Sequence, residues 1–199
     1  MIPLFKDAPC LVGFVRAAPT LAPPVTGRQV PCILASTRKM RALLPGELPR
    51  KPWVLSASLL RFAPLAELYG PVLADSVRPV VEAGLVDLVD MQHSVCPEVC
   101  LEPTPGHTPG HVSVHIRSGG AEALITGDCI HHPVQMTRPD WCSSADVDQA
   151  QGLQTRETLL QRYVDQDILI IGTHFAAPTA GHIKHLEVGG YYLDVSGQQ

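Results

Sequence analysis

The chain has 199 residues, of which 45% are hydrophobic, 17% charged and 5% aromatic, so it is long enough for the core of one or two ordinary domains. No apolar run reaches the roughly 18 residues of a membrane-spanning helix, and the first residues lack the charged head and apolar middle of a secretory signal, so we expect a cytoplasmic protein that does not enter a membrane. The net charge of −4 at pH 7 indicates little by itself, but its distribution is uneven.

Residues 1–66 differ from the rest of the chain. They hold nine Lys and Arg against two acids, a charge of +7, whereas residues 67–199 carry −11. Nine of the nineteen prolines fall by residue 52, and the apolar residues show no sustained period of 2 or 3.6. We expect a basic, proline-rich segment that is poorly ordered or forms a covering layer. Nucleic-acid binding is disfavoured, because the cations are scattered and aromatic residues are few.

The six cysteines are spread along the chain and do not form the dense pattern of a disulfide framework. Cys96 and Cys100 are four residues apart, but no second pair completes a four-ligand zinc site. We therefore interpret the cysteines mainly as free thiols.

From about residue 67 the sequence predicts regular elements. Residues 73–81 have helical spacing, while Pro79 limits the helix to a short one and Gly84 is placed to end it. Residues 85–89 alternate as a strand does, and residues 112–116 do so more strictly. Both segments are predicted to be half-buried strands.

Two further strands flank a helix in the last third of the chain. Residues 123–126 form a compact apolar run, residues 153–164 have the pattern of an amphipathic helix, and residues 167–172 are typical of a buried strand. Strands that alternate with helices indicate an α/β fold. In such folds we expect the chemistry at strand ends and in the loops that follow them.

Three of these loop positions carry side chains that commonly bind metals: His107, Asp128 and His174. Prolines fix φ on both sides of His107 and glycines allow tight turns, so a rigid loop is predicted to hold its imidazole. Any one of the three alone is typical of an ordinary hydrogen-bonded histidine or a turn-capping aspartate. Their occurrence at successive strand ends favours a metal site, since imidazole and carboxylate are zinc ligands.

The run Thr104–His111 and the turns Gly127-Asp128 and Gly172-Thr173-His174 resemble the third, fourth and fifth metal-binding motifs of the metallo-β-lactamase superfamily. Residues 73–193 are most similar to its lactonase and organophosphate-hydrolase-like branch, including residues 130–135 after the acid. The resemblance implies an α/β fold of the metallo-β-lactamase type, an αββα sandwich with up to two metal ions, usually zinc, at one edge of its sheets.

The resemblance also implies roles for the three residues. His107 would bind the first metal, His174 the second, and Asp128 would bridge both, which makes Asp128 the implied catalytic residue. Two metals about 3.5–4 Å apart lower the pKa of a shared water, and the hydroxide attacks a carbonyl or phosphoryl centre. The implied substrate is a small-molecule ester, lactone or phosphotriester.

The sequence departs from the family at one motif. The family's His-x-His-x-Asp-His cluster after an early strand is missing, because no histidine precedes His93. We therefore expect a sandwich that is incomplete in its amino-terminal half and a metal site short of ligands. Substitute ligands or pocket residues could come from five further side chains, which are His111, Cys129, His131, His132 and His182.

Two classes of function stay open at this point. One is a metal-dependent hydrolase, with residues 67–199 as its metallo-β-lactamase-like portion. The other is a non-catalytic protein, either a truncated or frame-disrupted remnant or an intact interaction or scaffold protein. A single sheet layer leaves an apolar face to cover, so self-association is also expected.

Overall fold

The computed structural model describes residues 12–14, 33–35, 53–56 and 78–197. The chain divides into two compact units, one with described residues as far as Asp90 and one from Met91 onward. Apart from three short strands, the predicted basic segment 1–66 lies outside the described residues, as do Cys10 and Cys32. The expectation that this segment is poorly ordered or forms a covering layer stays a prediction.

The described residues of the first unit form four strands and one helix. They are β1 (Val12–Phe14), β2 (Ile33–Ala35), β3 (Trp53–Ser56), α1 (Arg78–Glu82) and β4 (Val86–Val89). Strands β1 and β2 pair antiparallel, and β3 and β4 pair parallel. The predicted strand is confirmed, and so is a short helix, although it runs over Arg78–Glu82 with Pro79 inside it and residues 73–77 of the predicted span lie outside the described residues. Gly84 takes a φ of +66°, and its N–H donates to the Val81 carbonyl at the end of the helix.

The described residues of the second unit contain a seven-stranded mixed sheet with the order β11-β10-β9-β8-β7-β6-β5. Its strands are β5 (Ser94–Cys96), β6 (Val99–Pro103), β7 (Val112–Ser118), β8 (Ala121–Ile125), β9 (Ile168–Ile171), β10 (Ala180–His185) and β11 (Tyr191–Asp194). Strands β8 and β9 are parallel, and the other neighbours are antiparallel. The strands predicted over residues 112–116, 123–126 and 167–172 are therefore confirmed.

The crossover between the parallel strands β8 and β9 carries the helices of this unit, since parallel neighbours cannot be joined by a tight turn. It contains a 3₁₀ helix (Gly127–Cys129), α2 (Val134–Thr137) and α3 (Gln149–Tyr163). Helix α3 begins four residues before the predicted start, because the Asp148 carboxylate caps it by accepting from the Gln151 N–H at 2.9 Å. No helix in the described ranges is long and apolar enough to cross a membrane.

The core of the second unit packs α2 and α3 against the sheet. Leu124 of β8, Ile170 of β9 and Ile183 of β10 are fully buried. They belong to one cluster with Met136 of α2 and Leu160 of α3. Burying a side chain of this size contributes roughly 1.5–3 kcal/mol, so this cluster stabilises the packing of α2 and α3 on the sheet.

The prediction that residues 112–116 form a half-buried strand is wrong in its burial, because both faces of β7 are covered. Its polar residues are buried as deeply as its apolar ones, with Ser113 0% and His115 4% exposed. Ser113 donates its hydroxyl to the Thr126 carbonyl at 3.1 Å, and the His115 ring lies 2.7 Å from a Glu122 carboxylate oxygen. Each buried polar group has a partner, which makes its burial tolerable.

His182 and His185 both lie on β10. Residues His182 and Asp194 are opposite each other in the antiparallel register of β10 and β11. His185 is exposed and lies 2.8 Å from the Asp165 carboxylate. Neither histidine is brought to the residues predicted to bind metal.

A charged network joins β6, β7 and α3 through Glu102. Arg162 donates to its carboxylate at 2.9 Å, the Tyr163 hydroxyl donates to its other oxygen, and the His115 ring lies 3.7 Å away. Burial, the largest influence, acts to raise the pKa of Glu102. The hydrogen bonds from His115 and Tyr163 and the charge of Arg162 outweigh it, so the pKa lies below its ordinary value of 4.5.

This depressed pKa predicts a loss of stability in acid. A carboxyl group with a lower pKa in the folded state stabilises the fold fully above about pH 4.5, and the contribution disappears as the pH falls through the folded-state pKa. Chemical denaturation from pH 7 to pH 3 should therefore show Glu102→Gln less stable than wild type at pH 7, with the difference shrinking below pH 4.5. A difference that is constant with pH would contradict the assignment.

Candidate metal centre

The loop between β6 and β7 holds His107 in a fixed position. Gly106, at a φ of +132°, donates its N–H to the Thr108 carbonyl at 3.1 Å. The loop also contacts the segment before α3, since the N–H groups of Val147 and Asp148 donate to the carbonyls of His107 and Gly106. Main-chain bonds in both directions fix this loop, in agreement with the rigidity predicted from its prolines and glycines.

A buried carboxylate orients the His107 ring. Asp146 Oδ1 lies 2.9 Å from His107 Nδ1, and Arg156 donates to the other oxygen of Asp146 at 3.3 Å. In a neutral ring this carboxylate fixes the proton on Nδ1 and leaves the lone pair on Nε2. His107 Nε2 is buried and has no hydrogen-bond partner among the described residues.

Asp128 and His174 meet His107 at the ends of the parallel strands. Asp128 lies in the 3₁₀ helix directly after β8, and one of its carboxylate oxygens is 2.8 Å from His174 Nε2. The other is 3.5 Å from His107 Nε2. The Thr173 hydroxyl joins the two turns by donating to the Gly127 carbonyl at 2.8 Å. The three residues singled out by the sequence thus converge, and their role as ligands stays a prediction.

The surroundings of Asp128 favour its charged form. Burial, the largest influence, acts to raise its pKa, but the hydrogen bond with His174 and the neighbouring His111 and His107 rings lower it below the ordinary value. An ionised carboxylate among imidazoles is a good ligand for a divalent cation.

Of the five possible substitute ligands, only His131 lies with His107, Asp128 and His174 in the described part of the chain. Its ring stacks on His174 with a centroid distance of 4.8 Å and an angle of 21°, and it lies 5.2 Å from the His107 ring. One ligand atom each from Asp128, His131 and His174 all lie within 4.8 Å of one another, and so do those of His107, His131 and Asp146.

His111 is near the centre but has another role. Its Nδ1 faces the Thr104 hydroxyl and carbonyl, and its Nε2 accepts from the Asp128 N–H at 2.9 Å. Burial lowers the pKa of His111 to about 4, so the ring is neutral and can accept this bond. Both ring nitrogens are used to hold the Asp128 turn.

The other three substitutes do not reach the centre. Cys129 packs in the apolar core, and burial raises the pKa of its thiol to about 12, so it stays protonated at neutral pH. His132 is exposed and accepts from the Val134 N–H at 3.1 Å. His182 lies on β10, as described above. Cys100, Cys129 and Cys142 are free thiols, as predicted.

The donor set fits a divalent transition-metal ion. Zinc binds imidazole nitrogen and carboxylate oxygen at about 2.0–2.2 Å in a tetrahedron, which places neighbouring donors about 3.4 Å apart. The distance of 3.5 Å between Asp128 and His107 matches that spacing, whereas the 2.8 Å between Asp128 and His174 is the length of a hydrogen bond. A buried imidazole nitrogen without a partner normally costs stability, so His107 Nε2 is the observation that a bound cation would explain.

Sequence reasoning missed Asp146 and Arg156. Asp146 lies three residues before the start of α3 and 39 positions from His107 along the chain, so no local spacing relates them. Arg156 reads as an exposed residue of an amphipathic helix, yet its side chain is 1% exposed. A buried arginine needs a carboxylate partner, but the sequence does not show that it is buried.

Comparison with known proteins identifies the family of the chain. The sequence model of the metallo-beta-lactamase superfamily matches residues 43–174, more than half of the chain, and starts within the segment set apart by its charge. No curated protein matches the chain. Among solved structures, hydrolase AbOPH of the beta lactamase superfamily has a TM-score of 0.60 and 18% identity, covering 71% of this chain and 53% of that one.

A second solved structure is AidC, a dizinc quorum-quenching lactonase in complex with a product. It has a TM-score of 0.56 and 23% identity, covering 70% of this chain and 47% of that one. The chain thus spans about half the length of these two structures, in agreement with the incomplete sandwich that was predicted. By its sequence motifs, its mixed sheet and these matches, the chain belongs to the metallo-beta-lactamase superfamily.

Proposed function

We propose that the chain is a metal-dependent hydrolase of small-molecule esters, lactones or phosphotriesters. The observation that carries this proposal is the convergence of Asp128 and His174 near the buried Nε2 of His107, which has no hydrogen-bond partner among the described residues. Proteins of this superfamily generally bind divalent metal ions, and the donor set here fits one.

The chain's own residues prepare the centre for a cation. Asp146 keeps the proton on His107 Nδ1, so that Nε2 is available as a donor. His111 fixes the Asp128 main chain, and the carboxylate is held ionised beside His174. When bound, zinc or a similar cation polarises a carbonyl or phosphoryl oxygen and lowers the pKa of water. We propose zinc because imidazole donors suit it.

The proposed substrate class has support from one structural neighbour. AidC is a lactonase and was solved with a product of its reaction. Lactones, esters and phosphotriesters share an electrophilic centre with an oxygen that a cation can polarise, so one centre can serve all three.

A second candidate is a non-catalytic remnant or scaffold protein. The observation that favours it is the missing His-x-His-x-Asp-His cluster, since no histidine precedes His93. Metal analysis separates the two candidates: zinc bound by the purified full chain supports the hydrolase, and its absence after incubation with zinc supports the remnant.

The proposed function predicts that His107→Ala removes hydrolysis. With added zinc, the wild-type chain should hydrolyse an aryl ester or a lactone, and the variant should lose at least about a hundredfold in kcat/KM, because even outer partners of a ligand contribute 10–100-fold. His185→Ala, at the exposed end of β10, is the control and should keep full activity. Wild-type protein that binds zinc but turns over none of the three substrate classes would overturn the proposal.

A further inference from the structure

His131 lies in the candidate metal centre although none of the three matched motifs contains it. It follows the 3₁₀ helix by two residues, and its ring is stacked on His174 and tilted against His107. Its Nδ1 is buried and has no hydrogen-bond partner among the described residues. Two buried imidazole nitrogens without partners, one on His107 and one on His131, therefore belong to the same cluster.

The main chain at His131 is fixed by a side-chain clamp. Gln135, which is buried, accepts from the N–H groups of His131 and His132 at 2.7 Å and 3.3 Å through one oxygen. Its amide nitrogen donates to the Trp141 carbonyl at 2.6 Å. This clamp gives the two neighbouring histidines different environments, with His131 in the cluster and His132 exposed.

The donors available in the described residues suffice for one cation. Asp128, His131 and His174 form one candidate group, while His107, His131 and Asp146 form another, and the two groups share His131. Asp146 is already engaged by His107 and Arg156. A zinc ion uses three or four protein ligands, so both groups cannot be filled at once.

We propose that Asp128, His131 and His174 form a site for a single divalent transition-metal ion, in which His131 supplies a ligand that none of the three matched motifs contains. This inference rests on the proposed metal centre and deepens it. It assigns one ion to a chain whose structural neighbour AidC is described as dizinc. The role proposed for His131 in this site is that of a metal ligand.

The test is zinc binding by the full chain, measured by titration calorimetry without substrate. Wild type should bind one Zn²⁺ per chain, and His131→Gln should bind at least about tenfold more weakly, a lower bound taken from the loss of outer partners. His132→Gln is the matched control and should bind as wild type does. Replacing Zn²⁺ by Co²⁺ gives a second readout, since loss of a nitrogen ligand weakens and shifts the visible absorption of the tetrahedral ion.

Thermal unfolding of the metal-free variants shows whether they fold as wild type does. Two zinc ions per wild-type chain, or His131→Gln with wild-type affinity and Co²⁺ spectrum, would overturn the inference, and so would a wild-type chain that binds no zinc. One ion bound through His131 with no hydrolysis of any substrate class would leave this inference standing and overturn the proposed function. If His131→Gln left both the zinc-dependent hydrolysis and the zinc affinity unchanged, this inference would be overturned and the proposed function would stand.

Discussion

Asp146→Ala is expected to lower the free energy of unfolding by about 3–5 kcal/mol, because it leaves a buried guanidinium without its carboxylate. The side chains of Arg156 and Asp146 are 1% and 0% exposed. Burial, the largest influence, acts to raise the pKa of Asp146, but the hydrogen bond with His107 and the charge of Arg156 lower it below the ordinary value. The variant also removes the partner of His107 Nδ1.

Denaturant unfolding at pH 7, with two comparison variants, measures this effect. Asp140 and Arg138 form an aspartate–arginine pair that is exposed. Asp140→Ala breaks this pair and should leave the free energy of unfolding unchanged. The double variant Asp146→Ala with Arg156→Met should be more stable than Asp146→Ala alone, since both buried charges are then gone. Wild-type stability for Asp146→Ala would show that the other acceptors of Arg156, which are the Pro139 and Cys129 carbonyls and the Cys142 sulfur, satisfy it alone.

The sequence predicted the parts of the site that follow local rules. His107 and Asp128 lie in glycine-containing turns after strands, and His174 follows an apolar run, so their positions depend on near neighbours in the chain. The strands β8 and β9 were predictable for the same reason, because each is a compact apolar segment.

The missed features depend on contacts between distant residues. Strand β6 contains Glu102 and Pro103 and has no clear alternation, yet five register pairs with β7 hold it in the sheet. Strand β10 contains Gly181, where an added Cβ would lie 2.4 Å from the Asp194 carbonyl oxygen of β11. This glycine therefore allows close packing of two strands and does not indicate a turn. Asp146 becomes part of the site only when α3 packs beside the His107 loop.

Gly106→Ala is expected to destabilise the fold by about 3 kcal/mol or more, because it combines backbone strain with a clash. Gly106 has a φ of +132°, a backbone conformation that L-residues rarely adopt and that costs them about 1–3 kcal/mol. An added Cβ would lie 2.3 Å from the Cα and N of Gly152 in α3. These are main-chain atoms that cannot rotate away, and forced overpacking costs a further 1–3 kcal/mol or so.

Gly119→Ala separates the two contributions. Gly119 lies in the turn between β7 and β8 with a φ of +59°, and a Cβ there meets nothing within 4 Å, so only the backbone cost of about 1–2 kcal/mol is expected. Thermal and denaturant unfolding of both variants gives the difference, which measures the contact between the His107 loop and α3. Equal losses of stability in the two variants would mean that the His107 loop can move away from α3 at little energetic cost.

The same pair of variants connects stability with the metal centre. If Gly106→Ala moves the loop away from α3, His107 and Asp146 separate, because the carbonyls of Gly106 and His107 accept from the Asp148 and Val147 N–H groups at this contact. Zinc affinity should then fall in Gly106→Ala and stay at the wild-type value in Gly119→Ala. A destabilised Gly106→Ala that keeps its affinity would show that the loop shifts together with Asp146, as one rigid piece.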